Sequence, residues 1–169
     1  MPFVVENDTT ISFAEFSDML DRDQRLFEAN EGLSDDIIDN HLVRATERIL
    51  DRIRSTQWWQ EYYTARNTTV TINTRADIPA VDPDRILNRQ NDFTDLCVYT
   101  ALTEFTLPLI ADFGREDSSE RNKMGYYQQK ADGLFAELIG AGDWYDFDDD
   151  SVIQSDERQP GAFNLKRIR

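Results

Sequence analysis

Residues 34–54 read SDDIIDNHLVRATERILDRIR, and this stretch decides the fold class. Ile37, Ile38, His41, Leu42, Ala45, Ile49 and Ile53 recur every three or four positions, the spacing that lines one face of an α-helix. Ser34 stands as the N-cap. Asp35, Asp36 and Asp39 occupy the first turns, and Arg44, Arg48, Arg52 and Arg54 gather towards the end, an order that complements the helix dipole. The spacing predicts a helix over 35–54.

Helical signals continue on both sides. Ser12 followed by Glu15 is a capping-box pattern, with Phe13, Phe16 and Leu20 behind it at helical spacing. Leu26 and Phe27 fit a second short turn before Glu31-Gly32. Beyond the long helix, Trp58, Trp59, Tyr62 and Tyr63 continue or follow it. From Asn67 the period changes, and Val70 and Ile72 alternating with Thr predict a short strand or extended arm over about 67–82. Asp82-Pro83 then opens a helical segment running to about Phe113, with Val98, Tyr99, Leu102, Phe105, Leu109 and Ile110 on a broad face. Pro108 predicts a kink inside it, and Gly114 a stop. A last long helix begins at Ser118 or Ser119, carries Met124, Tyr127, Ala131, Leu134, Phe135 and Leu138, and ends at Gly140-Ala141-Gly142. Residues 143–157 then hold seven acids and no base, whereas Lys166-Arg167-Ile168-Arg169 closes the chain with three bases. The expected architecture is mainly α: a small helical bundle over 1–142 with a short extended or β arm, then an acidic loop and extended C-terminal tail over 143–169.

The 169 residues carry a net charge of −15, and Leu, Ile, Val and Phe make up about a quarter of them, enough for a core. Nonspecific duplex binding needs a basic footprint, so a general DNA-binding role for the whole surface is not expected. The longest stretches without charge, Asn67–Thr74 and Leu96–Thr103, are eight residues each, too short to cross a membrane. The N-terminus lacks the basic and apolar regions of a secretory signal. One cysteine, Cys97, offers no intrachain disulfide, which fits a reducing cytosol. One histidine and one cysteine exclude a site needing several such ligands within one chain. No Walker sequence, Gly-rich phosphate loop or Gly-x-Ser-x-Gly elbow occurs, so neither an enzyme nor a cofactor is expected.

Several groups invite a functional reading beside a plainer one. Asp146, Asp148, Asp150 and Glu157 fall at positions 1, 3, 5 and 12 of an EF-hand-like loop, with Ile153 at position 8. Ser151 stands where the turn wants Gly, and Gln159-Pro160-Gly161 leaves no room for an exiting helix; a solvated acidic loop is the expectation, and no metal is assigned. His41 fits a core or interface position better than a pH switch or catalytic base. Cys97, with no basic neighbour in sequence, is expected to pack. Arg44, Arg48 and Arg52 form an i, i+4 ladder that suits either a solvated face balanced by Glu47 and Asp51 or an intersubunit contact. Trp58 and Trp59, with Tyr62 and Tyr63, could stack single-stranded bases, but only Arg54 and Arg66 lie near in sequence, so core or interface packing is preferred. In the tail, Phe163, Leu165 and Ile168 are apolar anchors among Lys166, Arg167 and Arg169, a pattern suited to docking as an extended segment on another protein.

With these elements laid out, the chain resembles the head–tail adaptor (connector) proteins of long-tailed bacteriophages. Three stretches carry the likeness: Leu33–Ile38 through Arg44–Leu50, Asp95–Tyr99 through Leu107–Phe113, and Ala141-Gly142-Asp143-Trp144-Tyr145-Asp146. It spans roughly residues 10–150 and rests on helical pattern and a few unusual strings. The resemblance implies a virion protein at the neck, assembled in the host cytoplasm as a homo-oligomeric ring, a dodecamer, beneath the portal protein. Such a ring extends the DNA channel, lets double-stranded DNA pass without specific binding, and presents a surface to tail-completion or stopper proteins. It further implies that the C-terminal tail reaches the portal, with Phe163, Leu165 and Ile168 seating it and Lys166, Arg167 and Arg169 meeting acidic groups. Arg44, Arg48, Arg52, Trp58 and Trp59 are the candidate intersubunit contacts. An acidic channel wall repels phosphate and lets DNA slide. Some members of that family are labelled single-stranded-DNA-binding proteins of the primosome type, so the alternative is a phage replication protein that binds single strands. An acidic DNA mimic fits the charge but leaves the basic C-terminus unexplained.

Overall fold

The computed structural model describes residues 3–29, 32–66, 71–111 and 119–158. It is mainly helical with one small two-stranded sheet. In chain order the strands are β1 (Val4–Glu6) and β2 (Thr9–Ser12). The α-helices are α1 (Phe16–Arg22), α2 (Gln24–Ala29), α3 (Asp35–Arg54), α4 (Gln57–Glu61), α5 (Gln90–Ala101), α6 (Leu107–Ile110), α7 (Ser119–Ala141) and α8 (Ser155–Arg158). Two π-turns, Tyr62–Arg66 and Leu102–Thr106, follow α4 and α5. The long helix has the bounds its periodicity predicts. Val70, Gly114 and Ser118 lie outside the described residues, as does the tail from residue 159 on; Ile72 lies in no strand.

The chain divides into two contact units, residues 1–49 with 89–137, and residues 50–88 with 138–169. In the first, β1 and β2 pair antiparallel through a two-residue turn at Asn7 and Asp8, with φ of 51° and 60°. Both residues tolerate this left-handed conformation better than other non-glycines, which is why a type I′-like hairpin closes here. The hairpin displaces the expected helix start. Ser12 belongs to β2, and Glu15 is the N-cap of α1, exchanging capping-box bonds with Asp18. Phe3, Phe13 and Phe93 form an aromatic cluster, with Phe3–Phe13 centroids 4.6 Å apart and Phe13–Phe93 5.3 Å apart. Around it Ile38, Leu42, Ala45 and Ile49 of α3 meet Leu96, Cys97 and Val98 of α5 in the buried interior. Buried hydroxyls fasten the hairpin to both helices: Phe13 N–H donates to Thr46 Oγ1 (3.0 Å), and Thr94 Oγ1 donates to the Phe13 carbonyl (2.8 Å). Asp23 accepts from Lys123 Nζ at 2.6 Å and binds the segment after α1 to α7.

The second unit contains the aromatic run. Thr56 caps α4 by accepting from Trp59 N–H, which separates this short helix from α3. Pro83–Arg85 is a 3₁₀ turn capped by Asp82, and the main helix begins only at Gln90. The intervening Ile86 instead pairs with Tyr145 in an antiparallel bridge. That bridge revises the division expected at residue 142. Trp144, Tyr145, Asp146, Phe147 and Glu157 are buried, so residues 143–158 are anchored in this unit, with an exposed loop between these points, and are not part of a trailing tail. Gly142 ends α7 with φ 58°, where a Cβ would lie 2.4 Å from the Arg158 carbonyl oxygen; only glycine fits.

Candidate functional site

Four groups of side chains concentrate the chemistry. The first is an aromatic box in the second unit. Trp58 packs on Trp144 (5.0 Å between centroids), Trp59 on Tyr145 (4.9 Å), and Tyr62 stacks on Phe147 at 3.9 Å. Both indole N–H groups of the α4 pair are engaged: Trp58 donates to the Arg158 carbonyl and Trp59 to the Pro79 carbonyl, each at 3.0 Å. Trp58 is 8% exposed and Trp59 0%. Neither ring face is open to a base or to a second subunit, which corrects their place among the intersubunit contacts. The physical reason is distance along the chain: the rings that cover them arrive some eighty residues later, on Trp144, Tyr145 and Phe147. The box sits against hydrogen-bonded backbone: Arg54 donates to the carbonyls of Ile78 and Ala76, and Arg85 to that of Phe147.

The second group is the 146–157 loop. Carboxylate oxygens of Asp146, Asp148 and Glu157 lie within 4.8 Å of one another. Asp146 is 2% exposed and accepts N–H bonds from Asp149 and Ser151, both 2.7 Å. Glu157 is 3% exposed and accepts from Phe147 N–H (2.7 Å) and Gln154 N–H (2.6 Å). The exposed Asp148 has its pKa raised from the ordinary value by local desolvation, then by the charge of Asp150 and by a hydrogen bond to Asp146 and its charge. Ser151 adopts φ 67°, the left-handed conformation a glycine would supply, and the single turn α8 ends one residue past Glu157, so no full exiting helix follows the loop among the described residues. Asp150 is turned to its own loop, accepting from Val152 N–H and Gln154 Nε2. Asp146, Asp148 and Glu157 are three hard oxygen donors that could hold a divalent cation, and two of the three are already held in place by loop amides.

The third group is the histidine and arginine ladder on α3. His41 Nδ1 lies 3.0 Å from Thr106 Oγ1. The Arg44 guanidinium sits 4.3 Å from the centroid of Phe105, and Arg48 Nε is 3.4 Å from Glu104 Oε2. Arg44 and Arg48, two of the candidate intersubunit contacts, thus take partners in their own unit, while Arg52 falls in the other. Burial, and then Arg44, holds the His41 pKa below its usual value, so the ring is neutral at pH 7. Cys97 packs as expected: it is fully buried, its Sγ is 3.4 Å from both Thr46 Oγ1 and the Leu42 carbonyl oxygen, and burial pushes its thiol up to about 12. A thiol so protonated is inert as a nucleophile.

The fourth is an open trough of about 610 Å³ in the first unit, lined by Asp95, Tyr99, Tyr126, Lys130, Leu134 and Glu137 among others. Its acids are already paired, Asp95 with Arg22 and Glu137 with Arg89. Phe163, Leu165, Lys166, Arg167, Ile168 and Arg169, the candidate docking residues, lie outside the described residues. No helix among the described residues is long and apolar enough to cross a membrane. No protein family, curated protein or solved structure matches this chain.

Proposed function

We propose that this chain is a structural subunit of the phage head–tail junction, forming a ring beneath the portal that extends the DNA channel and joins it to tail-completion or stopper proteins. One observation carries the reading: among the described residues, His41, Cys97, Trp58 and Trp59, the side chains best suited to catalysis or base stacking, are committed to holding a helical body together. His41 is paired with Thr106, Cys97 is buried and protonated, and Trp58 and Trp59 are closed inside the aromatic box. A body of this kind works through the surfaces it presents. The resemblance read from the sequence points the same way.

In this reading copies of the chain assemble side by side, and residues 160–169 reach the portal with Phe163, Leu165 and Ile168 as apolar anchors. Lys166, Arg167 and Arg169 meet acidic portal groups. The net charge of −15 keeps the wall from holding DNA phosphates. Co-sedimentation with a portal protein from the same genome tests it, comparing the full chain with one ended at Gln159. The full chain is expected to travel with the portal and the shortened one to stay behind, folded. Equal co-sedimentation of both would remove the docking role. Submicromolar binding of a single-stranded oligonucleotide at moderate salt, lost in Trp58→Ala or Trp59→Ala, would replace the assembly reading with the replication one.

A further inference from the structure

Three side chains of α3 grip three successive residues of the Leu102–Thr106 π-turn in reverse order: His41 takes Thr106, Arg44 covers Phe105, and Arg48 pairs with Glu104. The turn exists because of Pro108. A proline ring crowds the carbonyl four residues back, here that of Glu104, and cannot donate to it. Winding out by one residue relieves that crowding, and Leu107 N–H donates five residues back to the Leu102 carbonyl. The expected kink at Pro108 is thus realised as a widened turn ahead of it. Such π-turns are rare within helices and are frequent at functional sites.

The grip runs from dry to wet. Thr106 is fully buried at the His41 end, whereas the Arg48 side chain is 65% exposed at the other. Beyond the turn, α6 presents Leu109 with 61% of its surface exposed. We propose that this clasp is a proton-sensitive hinge: neutral His41 locks the buried end, and its protonation loosens the turn and re-aims α6 with Leu109. Among the described residues, Arg44 on its own helix is the charge that acts on the ring, while Glu104, the acid of the turn, is paired with Arg48. A proton on His41 therefore places a second cation beside Arg44, with a hydroxyl as its neighbour. The folded chain binds this proton less readily than the unfolded chain does, so the lock is complete above about pH 6.5 and is lost as pH falls through the lower folded value. His41 is the chain's only histidine, so no other imidazole overlaps the step. This inference does not rest on the assembly reading.

Nuclear magnetic resonance of the full chain tests it, reading the His41 ring titration together with amide exchange corrected for its intrinsic pH dependence. Between pH 7.5 and 5.5 protection over Leu102–Leu107 is expected to fall about threefold or more while that over Phe93–Ala101 holds. His41→Gln, which keeps a hydrogen-bonding group but cannot titrate here, is expected to flatten the response. A His41 midpoint at or above the ordinary value, equal loss in both segments, or an unchanged response in His41→Gln would overturn the proposal. Should His41→Gln not fold, Arg48→Gln at the exposed rung is expected to lower protection over Leu102–Leu107 alone at constant pH; unchanged protection there would overturn it equally.

Discussion

Gly142→Ala puts a Cβ where the second unit has no room for one. Two costs can be worked from the structure. Holding a non-glycine residue at φ 58° costs about 1–2 kcal/mol. The new Cβ would also stand 2.4 Å from the Arg158 carbonyl oxygen and 2.9 Å from Trp58 Nε1, so it must push apart the indole–carbonyl bond between them. Losing that partly buried bond costs about 1–3 kcal/mol more. Together the loss is roughly 2–5 kcal/mol, a large share of the roughly 5–15 kcal/mol that stabilises an ordinary domain. All three tryptophans, Trp58, Trp59 and Trp144, belong to this unit, so urea unfolding followed by tryptophan fluorescence reads the joint directly. The midpoint is expected to fall, and the native emission to shift red as the Trp58 N–H becomes exposed. A loss below about 0.5 kcal/mol with native emission unchanged would mean that the end of α8 does not close over Gly142, refuting the packing of residues 143–158.

Gly133→Ala makes the opposite case: it lies inside α7 with nothing within 4 Å of its Cβ position, so alanine is expected to stabilise the chain by about 0.5–1 kcal/mol in thermal melts. Glu157→Gln removes one of the two carboxylate oxygens that accept from Phe147 and Gln154 N–H, and a loss of about 1–3 kcal/mol is expected from the same urea unfolding. Asp8→Gly places glycine at a φ of 60° in the hairpin turn and is expected to gain about 0.5 kcal/mol, read as a higher midpoint by far-ultraviolet circular dichroism.

Much of the helical frame is legible in the sequence because it is written locally. Ser34 and the repeat from Ile37 to Ile53 specify α3, and Tyr127, Ala131, Phe135 and Leu138 specify the buried stripe of α7. What hides is short or closes over long distances. The hairpin has a signal, Asn7-Asp8 between Val4-Val5 and Thr9-Thr10-Ile11, but Ser12 and Glu15 imitate a helix start and outweigh strands of three and four residues. The π-turn follows from Pro108, yet apolar spacing alone cannot tell a bend from a wound-out turn. The box around Trp58 and Trp59 escapes for another reason. Seven acids in residues 143–157 mask the apolar content of Trp144, Tyr145 and Phe147, so an average over the segment reads as solvated. The carboxylate set was half legible: the spacing of Asp146, Asp148 and Glu157 points to it, while the left-handed Ser151 that closes the loop departs from the glycine rule.

Electron microscopy of the purified full chain mixed with a portal assembly from the same genome puts the central claim to its most direct test. The account predicts a collar of added density on the tail-facing side of the portal, coaxial with the channel and built from repeated copies of this chain. A portal that remains bare, beside a chain that stays monomeric or coats single-stranded DNA, would contradict it.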